Sequence, residues 1–189
     1  MKDKNRLVIL NAAMKVFSKK GYHGSSISDI TKEAGTSKAL FYHYFKNKKD
    51  LLVIFSEKRL QDFLPLVEGM SQLTSAKDKL IFLVDFVLRE LQEETEKLKL
   101  YNLLFLSNDG AKAIQEAMKK FQNTFKKIFE MEQSLFRELG FSNPELEATY
   151  MRSLLQGISL EYMLEPSSYP LHEIRGYILE RYLSKKEKL

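Results

Sequence analysis

The sequence predicts an all-α protein. Three observations carry that reading. Apolar residues recur at spacings of three and four through most of the chain, as on one face of a helix. Proline is confined to positions 65, 144, 166 and 170, and no run alternates apolar and polar residues as a half-buried strand would. Start and stop signals separate the periodic segments, with Ser-x-x-Asp at 26–29 and glycine at 21, 35 and 140.

The elements follow in order. Leu7, Leu10, Met14 and Phe17 form one stripe, and Gly21 supplies a stop. Ser26-Ile27-Ser28-Asp29 opens a second helix with a capping-box pattern; Ile27, Ile30 and Ala34 share its face, and Gly35 ends it. A third, short helix starts at Thr36 or Ser37. Asn47, with Asp50 three residues on, can cap a fourth, which Leu51, Phe55 and Phe63 carry into the 60s. Pro65 then sits late in that helix, where it removes a hydrogen bond and favours a kink. Longer helices are expected over 76–93, 95–107, 109–139, 143–164 and 170–185, separated at 108–110, 140–144 and 166–170. In 109–139, Ile114, Met118, Phe121, Phe125, Ile128, Leu135 and Leu139 follow a nearly heptad spacing.

At 189 residues the chain suits one large or two small domains, and 44% hydrophobic residues exclude wholesale disorder. The absence of cysteine excludes disulfides, thiolate metal sites and cysteine nucleophiles. The histidines at 23, 43 and 172 have no paired ligand spacing. No nucleophile–base pairing or phosphate loop is visible, so no catalytic residue, metal or cofactor is expected. Lys2, Asp3, Lys4 and Arg6 precede a short apolar run, which is not a signal-peptide pattern. The stretch Leu80 to Leu88, interrupted by Asp85, is too short to cross a bilayer, so a cytoplasmic protein with no membrane partner is expected.

Charge is unevenly placed. Residues 1–50 hold 11 Lys and Arg against 4 Asp and Glu, whereas residues 51–189 hold 19 against 21. A positive first quarter points to an anionic partner, with nucleic acid first. Residues 5–45, read as helix, helix, tight glycine turn and short helix, outline a helix-turn-helix in a three-helix bundle. On the third helix Phe41 and Phe45 are four apart and share an inward face. Ala39, His43, Leu40 and Thr36 point away from it, Tyr42 and Tyr44 project from the flanks, and Lys38 and Lys48 sit at the edges. A helix entering the major groove needs such a small leading face, with donors on both sides for the phosphate walls.

The run Ser26-Ile27-Ser28-Asp29-Ile30, Ala34-Gly35-Thr36-Ser37-Lys38-Ala39-Leu40-Phe41-Tyr42-His43-Tyr44-Phe45-Lys46-Asn47-Lys48 and Leu51 resembles the DNA-binding signature of the TetR family of bacterial transcriptional regulators. The resemblance covers roughly residues 5–55. Ala39-Leu40 departs from it, since the family often has glycine then a polar residue there. Leu40 suits a thymine methyl rather than a hydrogen bond. The resemblance implies that Ser26, Thr36, Tyr42, Tyr44 and Lys48 hold phosphates, and that Ser37, Lys38, Ala39, Leu40 and His43 face bases or nearby backbone. It implies a DNA-binding domain over 1–47 and a ligand-binding and dimerisation domain over 48–189. It also implies a homodimer on a palindromic operator, most simply a repressor released by a small-molecule effector.

The rest of the chain supplies expectations for that second domain. The helix 143–164 is apolar nearly all round, and Gly157 inside it fits close approach of another helix. Leu154, Gly157, Ile158, Ile174, Tyr177, Ile178 and Arg181 are the expected dimer interface. Phe82, Asp85, Phe86, Tyr101, Phe105, Met118, Phe121, Phe125, Tyr150, Met151 and Arg152 are the expected effector pocket. Asp85 is expected to point inward, either paired with a basic residue such as Arg152 or free in the pocket, because a buried unpaired charge is costly. A dimeric DNA-binding regulator controlled by a protein partner, and an all-helical enzyme using the C-terminal cavity, stand as alternatives.

Overall fold

The computed structural model describes residues 2–105 and 107–184, with side chains over 4–102 and 107–184. Its helices in chain order are α1 (Lys2–Lys20), α2 (Ile27–Glu33), α3 (Lys38–Tyr44), α4 (Lys48–Gln61), α5 (Leu64–Ser71), α6 (Ala76–Glu93), α7 (Thr95–Phe105), α8 (Asn108–Lys120), α9 (Gln122–Glu138), α10 (Pro144–Leu164) and α11 (Leu171–Leu183). No strand occurs among the described residues, and no helix among them is long and apolar enough to cross a membrane. The chain forms two compact units, one from residues up to 61 with 96–120, the other from 62–95 with 121–189. The first unit therefore extends beyond residue 47 to include α4 and α8.

In the first unit α1 buries Ile9, Leu10, Ala13, Val16 and Phe17. That arc is shifted from the expected stripe: Leu7 is half exposed and Met14 half-buried. Phe17 fixes the register, packing edge-on against Phe55 of α4 at 6.1 Å and Tyr22 at 5.4 Å between ring centroids. α8 lies along α4 with Gly110, Ala113 and Ala117 buried, and these small residues let the two backbones approach.

Two expected helices are interrupted. The fourth ends at Gln61, and Pro65 lies in the first turn of α5 rather than late in a kinked helix. A proline at 65 removes one N–H and its ring crowds the carbonyl four residues back, whereas a first helical turn tolerates it. The expected helix 109–139 breaks at Phe121, whose φ of −109° and ψ of 24° leave the helical region. α8 and α9 belong to different units, so the heptad-like series there is not one continuous seam.

The second unit is built around α6, which buries Leu80, Leu83, Val84, Phe86, Leu88 and Leu91. α5, α9, α10 and α11 pack on it. Gly69 of α5 lets the Phe82 ring seat against the backbone, since a Cβ there would fall 2.2 Å from the ring. Phe136, Phe141 and Tyr182 cluster at centroid distances of 5.6–5.8 Å. α10 buries Ala148, Met151, Leu155, Ile158 and Met163 but leaves Leu146, Tyr150, Leu160 and Leu164 exposed.

Candidate nucleic-acid interface

The interface is assembled by local chemistry. Ser26 caps α2: its Oγ accepts from the Asp29 N–H at 3.1 Å, and its own N–H donates to Asp29 Oδ2 at 2.9 Å. Lys20 Nζ donates to the other carboxylate oxygen at 2.5 Å. The hydrogen bond from Lys20, followed by those from Ser26, pulls the Asp29 carboxyl down to about 2. Ala34 closes α2, and Gly35 adopts φ +61°, a left-handed turn that suits glycine. The Thr36 N–H then donates to the Thr31 carbonyl at 2.9 Å, so it is committed within the turn.

Ser37 starts α3 by accepting the Leu40 N–H on its Oγ at 3.1 Å. The helix is seven residues long. Phe41 and Phe45 are buried, with their tilted rings 5.3 Å apart between centroids, and Arg6 covers Phe45 at 5.8 Å. With those anchors fixed, the helix has one orientation. Lys38, Ala39, Tyr42 and His43 are exposed, Tyr42 at 55%, while Leu40 and Tyr44 are half-buried at the edges. His43 packs edge-on against Tyr44 at 4.9 Å. Asn47 caps α4 by accepting the Asp50 N–H, and Asp50 in turn accepts the Lys46 N–H at 2.7 Å. The projecting residues form one surface of small, basic and hydroxyl-bearing groups on a helix whose back is held by two rings.

Lys48 departs from that pattern. Its Nζ donates to the carbonyls of Tyr22 and Ser25, at 2.5 and 2.7 Å, over the Tyr22 ring. Desolvation lowers its pKa, opposed by Asp109. Sequence reasoning could not find this arrangement, because backbone carbonyls 23–26 residues away leave no mark on side-chain pattern. It also missed Lys20 as the partner of Asp29, although the Ser-x-x-Asp signature did point to Asp29.

The expected pocket residues fall in both units. Tyr101 and Met118 lie in the first, the former buried and the latter exposed; the side chain of Phe105 lies outside the described residues. In the second, Phe86 and Met151 are buried and Phe82, Phe121 and Phe125 half-buried, while Tyr150 is exposed. Asp85 does find a basic partner, but it is Arg175 of α11, bidentate at 2.5 and 2.9 Å. Arg152 instead pairs with the buried Glu132 of α9 and covers the Phe129 ring. Burial raises the pKa of Glu132, and Arg152 opposes that rise. Of the expected interface residues, Ile158 and Ile178 turn into the unit's own core. Leu154 and Ile174 are half-buried, and Gly157, Tyr177 and Arg181 face outward, with nothing within 4 Å of a Cβ placed at Gly157.

A short helix held from behind, preceded by a capped helix and a glycine turn, outlines a helix-turn-helix on an otherwise helical chain. Residues 9–53 match the family described as bacterial regulatory proteins, tetR family. The chain is 39% identical over 77 residues to the fatty acid metabolism regulator protein of Bacillus subtilis (strain 168), a match spanning 40% of each chain. It is 32% identical over 121 residues to the uncharacterized HTH-type transcriptional regulator YvdT of the same organism, spanning 64% of this chain and 59% of that one. The crystal structure of the transcriptional regulator FadR from Bacillus subtilis in complex with stearoyl-CoA shares the fold, with a TM-score of 0.75 at 22% identity over 96% of this chain and 100% of that one. The likeness to the TetR family is thus carried by residues 9–53, and the chain spans less than two thirds of the length of these curated relatives.

Proposed function

We propose that the chain is a ligand-responsive, homodimeric DNA-binding transcriptional regulator of the cytoplasm, a repressor released from a palindromic operator by a small molecule. The observation that carries this reading is α3, with Phe41 and Phe45 buried behind it and Lys38, Ala39, Tyr42 and His43 in front. Ser37, Lys38, Ala39, Leu40 and His43 face the bases. Ser26, Thr36, Tyr42 and Tyr44 hold the flanking phosphates. In a dimer two copies of α3 stand about 34–36 Å apart, one DNA turn, and enter successive major grooves.

Dimerisation is supported by the uncovered apolar surface of α10 and α11, where Leu164 is 78% and Tyr177 70% exposed. Gly157 leaves room there for a partner helix. The effector site is drawn from Phe82, Phe86, Phe121, Phe125 and Met151 of the second unit. Long-chain acyl-CoA thioesters are the first effectors to try, because stearoyl-CoA is the ligand named for the Bacillus subtilis FadR structure. An effector that prefers the misfitting spacing of the two α3 helices releases DNA by population shift.

The test is selection of fragments from the source genome by the full chain, followed by footprinting and effector addition. A two-fold symmetric footprint, lost on addition of an acyl-CoA, is expected. No preferred fragment at any salt concentration overturns the DNA-binding reading. A symmetric footprint insensitive to every compound shifts control to a protein partner.

A further inference from the structure

Lys48 begins α4, where a positive side chain meets the positive end of the helix dipole. An ammonium group has three N–H donors. Here they meet the Tyr22 carbonyl, the Ser25 carbonyl and the face of the Tyr22 ring, whose centroid lies 4.3 Å from Nζ. The same Tyr22 carbonyl also accepts the Ser25 hydroxyl at 2.6 Å. Both carbonyls belong to the turn that delivers Ser26, the cap of α2, at the edge of the candidate interface.

Asp109 approaches the turn from a second side. Asp109, in the first turn of α8, lies 3.7 Å from His23 Nε2. Its charge also reaches Tyr22, whose hydroxyl pKa is raised first by burial and then by Asp109. α8 is in turn fastened along α4, by Lys120 to Glu57 at 2.7 Å and Lys49 to Glu116 at 3.9 Å. Lys48 is partly desolvated, and its ammonium is taken up by the Tyr22 and Ser25 carbonyls.

We infer that Lys48 and Asp109 are positioning residues that clamp the turn at 22–25 from α4 and α8, so that Lys48 supports DNA binding without contacting a phosphate. The clamp sets where α2 starts, and with it the pose of α3. It also ties that pose to α8, so a shift of α8 along α4 is felt at the reading head. This rests on the DNA-binding reading above and replaces one phosphate contact that the family resemblance implied.

The test measures DNA affinity across a salt series for the full chain, with Lys48→Met, Lys48→Arg and Asp109→Asn beside the wild type, together with each protein's unfolding temperature. A lysine on a phosphate contributes about 0.9 to the slope of log affinity against log salt. The clamp leaves that slope unchanged in Lys48→Met while weakening binding about tenfold at every salt concentration and lowering the unfolding temperature. Lys48→Arg keeps the charge but not the compact donor geometry, so it is expected to weaken binding too. Asp109→Asn removes a negative charge, which by simple repulsion would tighten DNA binding; the clamp gives weaker binding. A slope reduced by about one with unchanged unfolding temperature, full function in Lys48→Arg, or tighter binding in Asp109→Asn each overturns the inference. Should the wild type bind no DNA, the proposed function fails. The clamp is then judged by unfolding temperature and amide exchange at Asp29, both of which Lys48→Met should worsen.

Discussion

α2 and α3 are seven residues each, and α10 is twenty-one. The short helices could not persist alone, because nucleation is costly and one or two turns return little. Each is held by a serine cap and by one or two fully buried anchors, Ile30 in α2 and Phe41 in α3. With so few holding points, every remaining side chain has its direction fixed. α10 has the opposite character. It carries more apolar surface than its own unit covers, and neither its length nor its composition says which face stays open. The difference is between a device specified by local chemistry and a surface that its own unit leaves open.

Breaking the first kind of holding point should have the largest effect. Phe41 is fully buried, so Phe41→Ala is expected to lower stability by about 3–5 kcal/mol and to abolish DNA binding. Denaturant titration checks the first outcome and fragment binding the second. A loss below about 1 kcal/mol would mean that α3 is held by something other than its anchors.

In the second unit the ion pair of Glu132 and Arg152 comes next. Arg152→Met leaves a buried carboxylate unpaired, and a loss of about 2–3 kcal/mol near neutral pH is expected, moderated by the partial exposure of Arg152. The sign of its pH dependence follows from the raised pKa of Glu132. A carboxyl raised on folding favours the folded state where it is protonated and loses that contribution as pH rises through the folded pKa. The gap between variant and wild type should therefore narrow as pH falls. A gap that widens in acid would show that the pair is not what Glu132 needs.

The exposed face of α10 and α11 is sharpened by Tyr177→Glu. A dimer seated there should dissociate at least about tenfold more readily, read by sedimentation, while each chain keeps its helix content. An unchanged association constant would move the interface elsewhere. The smallest effect belongs to the cap: Ser26→Ala should lower stability by about 1 kcal/mol. Acid adds a signature. Asp29 is depressed from 3.8 to about 2, so its contribution is complete above its ordinary value and is lost as pH falls through about 2. Asp29→Asn should flatten that part of the acid titration.

The same contrast explains what was legible in the sequence. The Ser26 to Asp29 box, the Gly35 turn and the Phe41 and Phe45 pair are encoded within a few residues, and the structure places them as expected. Helix boundaries from 76 to 93 and 143 to 164 were readable from period and caps for the same reason. Pro65 was misplaced because a proline signals a break without saying whether it ends one helix or starts the next. The partner of Asp85 lies 90 residues away on α11, and a charge pattern cannot choose between Arg152 and Arg175 over that distance. Ile158 and Ile178, expected in the dimer interface, are buried in their own unit, because a helix apolar on several sides does not reveal which side its own unit takes.

The most direct measurement is the affinity for the preferred genomic fragment across a salt series, comparing wild type with Tyr42→Ala. Tyr42 is exposed on α3 and its removal leaves the buried anchors in place. Steep salt dependence in the wild type, with a loss of about tenfold or more in the variant and an unchanged unfolding temperature, is the expected result. Equal affinity for unrelated DNA, indifferent to Tyr42, would contradict α3 as the reading element.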